Sequence, residues 1–153
     1  MKQIKKTGLL LFILLTTQVM SISAQSSISV QLKETNKLSL GMYENLIMFV
    51  LTKDTVYHNK AMAIVDSQNA VYRNLKTQVQ SGTIYETLVS AYLSTGEACT
   101  TLYDKYYRQR IVNDNEKTKE LKYEGQTYNV SKFRQKEFND LLADLKKEQK
   151  RYK

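Results

Sequence analysis

Residues 71–106 read VYRNLKTQVQSGTIYETLVSAYLSTGEACTTLYDKY. Before Ser81-Gly82-Thr83, Val71, Leu75 and Val79 recur at four-residue steps. After it, Tyr85, Leu88, Tyr92, Cys99, Leu102 and Tyr106 keep helical spacing, and Val89, Leu93 and Tyr103 widen the stripe. A three-to-four residue period lines one face of an α-helix, and a glycine between two such runs is the usual place for a helix to stop. The stretch therefore predicts an antiparallel helical hairpin, each arm of about 28 residues spanning about 40 Å.

Toward the N-terminus the first arm extends through Tyr43, Leu46, Ile47, Val50, Tyr57, Ala61 and Ile64. Thr52-Lys53-Asp54-Thr55 weakens that stripe, so the arm reads as one long helix or as two. No proline occurs in the chain, and glycines are few and scattered, so little would interrupt long helices. Toward the C-terminus the pattern changes after Asn113-Asp114-Asn115. Alternation of apolar and polar residues around Glu124-Gly125 predicts a small β-hairpin near 119–130, leaning on the helices through Tyr123 and Tyr128. A short third helix follows, with Ser131 as its N-cap and Phe138, Leu141, Leu142 and Leu145 on its apolar side. The fold class is mainly α: a long antiparallel helical hairpin, a short C-terminal helix and a β-hairpin insertion, forming one helical domain over 38–153. The apolar faces are wider than a two-position seam, which favours globular packing or a homo-oligomeric bundle over a simple coiled coil.

The N-terminus, MKQIKKTGLLLFILLTTQVMSISAQ, has Lys2, Lys5 and Lys6, then the apolar run Leu9 to Leu15, then small and polar residues ending at Ala24. That order is a secretory signal peptide over 1–24, cleaved after Ala24. An N-terminal membrane anchor is the competing reading, but Thr16, Thr17, Gln18, Ser21 and Ser23 dilute a stretch that would need about twenty mostly apolar residues. The mature chain is thus expected to be exported, periplasmic or extracellular. Residues 25–37, Ser-rich and polar, read as a flexible lead. Loss of the three leader lysines lowers the net charge from +8 to about +5.

With 42% apolar and 25% charged residues, the chain has the balance of a folded domain and not of a disordered one. One cysteine, Cys99, forbids an intramolecular disulfide, and its place in the apolar stripe suits a small buried hydrophobe. The single histidine, His58, reads as a partly exposed helix residue without a neighbouring nucleophile or orienting acid. Neither metal-ligand spacing nor a glycine-rich phosphate loop is present, so no cofactor or metal is expected.

Tyrosine is the unusual component, with eleven copies. Tyr103, Tyr106 and Tyr107 cluster with Arg108 and Arg110, the pairing that protein interfaces favour, although tyrosines that face the core with their hydroxyls at the rim are the commoner structural reading. Charge is also uneven: residues 25–104 carry about −1 and residues 105–153 about +6, ending in Lys146, Lys147, Lys150 and Arg151. These nine residues are the candidate partner-binding set, for a protein partner in the envelope and, through the basic end, an anionic membrane surface. Nucleic acid is a poor match for an exported chain.

The layout, a cleaved leader before a small, cofactor-free, long-helix body, resembles periplasmic accessory subunits of bacterial secretion and conjugation machines. The resemblance is one of architecture and implies binding or assembly. The expectation is therefore a non-enzymatic exported binding component. Its competitors are a small cell-wall or polysaccharide hydrolase using His58 or carboxylates, and a binder of anionic lipid or polymer.

Overall fold

A computed structural model describes residues 26–153. The signal-peptide reading lies outside the described residues. Among the described residues no helix is long and apolar enough to cross a membrane.

The segment expected as a flexible lead is instead helical over residues 26–37 (α1). Its Ile28, Leu32 and Thr35, spaced by four and three, are buried. They meet a groove between the following helices, and that burial outweighs the weak helix propensity of the serines. The chain turns at Leu38 into α2 (Ser39–Thr52). Gln68 holds this corner, its Nε2 donating to Thr35 O at 2.9 Å and to Ser39 Oγ at 3.0 Å, while the Tyr72 hydroxyl donates to Asn36 Oδ1.

Thr52-Lys53-Asp54-Thr55 is a true corner, so the first arm is two helices. Lys53 closes α2 in the left-handed region (φ 64°), its N–H donating to Phe49 O, and Asp54 caps α3 (Thr55–Gln78) by accepting from Val56 N–H at 2.9 Å. α2 folds back against α3. Gly82 (φ 77°) then reverses the chain into α4 (Ile84–Leu102) as the sequence predicts. Thr83 Oγ1 accepts from Glu86 N–H at 3.3 Å and Glu86 Oε2 accepts from Gly82 N–H at 2.6 Å, a reciprocal cap of the capping-box kind. The second arm continues through a π-helical turn (Tyr103–Tyr107) into α5 (Arg108–Val112). Midway, α3 and α4 approach at Gly96, where a Cβ would stand 1.9 Å from Asn69 Oδ1.

β1 (Thr118–Tyr123) and β2 (Gln126–Ser131) pair antiparallel with Leu121 opposite Tyr128. Glu124 and Gly125 both have positive φ (48° and 78°), the signature of a two-residue type I′ loop. Ser131 caps α6 (Lys132–Arg151), accepting from Arg134 N–H at 3.0 Å, and Tyr123 packs edge-on against Phe138 with ring centroids 5.2 Å apart. With 20 residues α6 is not the short helix expected. Its apolar side is brief, and the first and last turns are held by polar contacts that carry no periodicity.

The larger core joins Leu46, Phe49 and Val50 of α2, Ala61 and Val65 of α3, Ile111 of α5, Val130 of β2 and Phe138, Leu141 and Leu145 of α6. A second cluster at the other end joins Ile28 and Leu32 to Tyr72, Leu75, Val89 and Leu93. Beneath the hairpin, Arg134 ties four segments together. Nε donates to Asp114 Oδ2 at 2.7 Å, Nη1 to Val50 O (3.0 Å) and Leu51 O (3.1 Å), and Nη2 to Asn129 O at 2.7 Å. Two of these acceptors are carbonyls at the C-terminus of α2, groups that helix geometry leaves without partners.

Candidate binding surface

The π-helical turn decides which tyrosines face outward. One extra residue in the turn moves the Tyr103 carbonyl out of the ordinary ladder, so that it accepts from Arg108 N–H and also lies 3.1 Å from His58 Nε2. A carbonyl can only accept, so His58 donates through Nε2–H, leaving Nδ1 buried without a hydrogen-bond partner. His58 is 0% exposed and packs edge-on against Phe49 at 5.1 Å. The sequence expectation of a partly exposed histidine is corrected. Val56-Tyr57-His58 carries no apolar label on the histidine itself, yet position 58 falls on the inward face once α2 folds over α3.

Tyr103 and Tyr107, one turn apart, are also drawn inward. Their rings meet edge-on at 4.9 Å, and Tyr107 lies 6.5 Å from Phe49. Burial first, and then the nearby Glu137 and Tyr103, push the Tyr107 hydroxyl pKa well above its ordinary value. For Tyr103 burial again leads, with Cys99, Glu137 and Asp144 adding to it. These two candidate partner-binding residues are therefore partly buried and packed against the larger core.

Tyr106 points the other way and is 71% exposed, with Leu102, one turn earlier, 58% exposed. Arg110, one turn later, lays its guanidinium 4.0 Å from the centre of the Phe133 ring. Leu102, Tyr106 and Arg110 thus form a stripe on the outer face of the second arm, continued across to Phe133 in the first turn of α6. Arg108 is exposed beside it. Neither Arg108 nor Arg110 makes a salt bridge within 4.0 Å among the described residues. Leu102 and Phe133 were not among the sequence candidates. The four-residue spacing from Leu102 to Tyr106 was legible, but Phe133 is joined to the stripe only by tertiary packing.

Lys146, Lys147, Lys150 and Arg151 are exposed near the C-terminus of α6. Phe133 and Arg151 lie 18 residues apart on one helix, about 27 Å along its axis. The structure therefore separates the nine candidates into an aromatic patch at one end of α6 and a basic patch at the other. Arg151 is paired with Glu148 at 2.7 Å and, with Tyr72, Tyr92, Cys99 and Tyr152, lines a half-open cleft of about 240 Å³. Tyr72 and Tyr92 stack there at 5.6 Å, and burial raises the Cys99 thiol pKa, which disfavours a reactive thiolate.

Among the described residues no group of three or more His, Cys, Asp or Glu side chains is placed to hold a metal ion. No family model, curated protein or solved structure matches the chain.

Proposed function

We propose that the protein is a non-enzymatic, exported helical component of the cell envelope whose work is to bind a protein partner, as an adaptor or assembly subunit. The observation that carries this reading is the exposed Leu102–Tyr106–Arg110 stripe with Phe133 beside it. Large aromatics with a stacked arginine are what protein interfaces concentrate at their centres, because they bury much area while losing little rotamer freedom. Arg108 and Arg110, unpaired within the described residues, fit a partner whose contact is apolar at its centre and acidic at its rim.

The test is capture of partners from solubilised native envelopes with the wild-type chain and with the double variant Tyr106→Ala/Arg110→Ala as baits, side by side. Recovery of a specific partner should fall at least tenfold with the variant while circular dichroism stays helical. Equal recovery by both baits overturns the choice of surface.

A second reading has its own observation, the exposed Lys146, Lys147 and Lys150 at the far end of α6. A lipid or polymer contact made there would weaken steeply with salt, since exposed charges more than about 10 Å apart are screened at 0.1 M. Binding to vesicles containing phosphatidylglycerol that survives 0.5 M salt would count against it.

A further inference from the structure

The two strands of the hairpin use their outer edges differently. A two-residue loop makes Tyr123 and Gln126 the pair that exchanges both backbone hydrogen bonds. Alternation then directs the N–H and C=O of Tyr123, Leu121 and Lys119 toward β2, and those of Lys122, Glu120 and Thr118 away from it. The partner strand verifies this phase. Asn129, opposite Glu120, sends its carbonyl outward, and Arg134 Nη2 donates to it at 2.7 Å. The outer edge of β2 is thereby engaged by α6. Among the described residues no strand lies beside the outer edge of β1, and Thr118, Lys119, Glu120 and Lys122 are exposed along it.

An unpaired edge is a template for another strand. We infer that its occupant is a second copy of this chain, whose β1 adds antiparallel across a two-fold axis to complete a four-stranded sheet. Charge selects that occupant. The hydrogen-bonding phase admits only registers in which outward-directed residues meet one another. Centring the pair on Glu120 opposes two carboxylates, centring it on Lys122 opposes two ammonium groups, and centring it on Lys119 opposes two more. The remaining register with several residues overlapped centres on Leu121. There Glu120 faces Lys122 of the second copy and Lys119 faces Tyr123, each contact made twice by symmetry. The side-chain faces agree as well. Glu120 and Lys122 share the solvent side of the strand, whereas Leu121 and Tyr123 are half-buried on the side facing the helices, so the Leu121 pair would extend that apolar layer.

The contact is small, with about four interchain backbone hydrogen bonds, so the dimer is of the weak, concentration-dependent kind. Sedimentation velocity of the purified full-length chain, from about 10 µM to about 1 mM, reads it directly. Wild type should move from monomer toward dimer across that range. Glu120→Lys and Lys122→Glu should each weaken association at least tenfold with circular dichroism unchanged. An equimolar mixture of the two variants should recover it, because a doubly basic strand then meets a doubly acidic one. The double variant Glu120→Lys/Lys122→Glu should recover it alone. A wild type that stays monomeric throughout, single variants as dimeric as wild type, or a mixture of folded variants that remains monomeric would each overturn the inference. The readout needs no envelope partner, so it stands or falls separately from the proposed function.

Discussion

Arg134 and Arg110 both reach the first turn of α6, one from within it and one from α5, and they do opposite things there. Arg134 is 4% exposed and spends its guanidinium on Asp114 and three backbone carbonyls. Arg110 is exposed, stacks on Phe133 and makes no ion pair among the described residues. The buried arginine is consumed by the fold, whereas the exposed one leaves its donors open to solvent. Residue type alone does not separate the two roles; the number of partners already engaged does.

The largest expected effect breaks the buried side of this comparison. Arg134→Met should cost about 3–5 kcal/mol in urea denaturation, because Asp114 and the α2 carbonyls are left buried without their donor. A loss below about 1 kcal/mol would show that the network is not what joins α2, the hairpin and α6.

Next comes acid. Burial of Asp114, 3% exposed in its side chain, acts to raise its pKa, but hydrogen bonds from Ser131, Arg134 and Glu116 N–H and the Arg134 charge outweigh it and hold the carboxyl below its ordinary value. A group lowered in the folded state contributes stability that is complete above its unfolded pKa of about 3.9 and is lost as pH falls through the folded value. Denaturation midpoints should therefore hold from pH 7 to pH 5 and drop below pH 4. Asp114→Asn should flatten that drop; a wild-type slope retained in the variant would assign the acid sensitivity to other carboxylates.

Smaller still are the effects on the exposed side. Tyr106→Ala/Arg110→Ala should change stability by less than about 1 kcal/mol even as it removes partner capture, since surface stacking contributes about 0.5–1 kcal/mol. A large loss of stability would move this stripe into the structural class with Arg134. Arg151→Ala, which removes an exposed partner from the mostly buried Glu148 at the edge of the cleft, should change stability by no more than about 1 kcal/mol in a thermal melt.

How much of this was legible depends on the range of the signal. The break at Gly82, the Glu124-Gly125 loop and the Ser131 cap each rest on contacts within about four residues, and each is where the sequence places it. The Asp114–Arg134 pair spans 20 residues and the His58–Tyr103 contact 45, and no local pattern announced either. The aromatic cluster was half legible. Spacing located Tyr103, Tyr106 and Tyr107 together, but the π-helical turn sent two inward and one outward.

By itself, then, the sequence determined the helical class, the reversal between the long arms, the hairpin and its loop, because periodicity, glycine and capping residues act through neighbouring backbone groups. Tertiary structure alone decided that residues 26–37 are helical, that His58 is core, that Phe133 completes the exposed stripe and that the basic end of α6 stands apart from it. An apolar face can be read from spacing, but what covers it is settled only when distant segments compete to bury it.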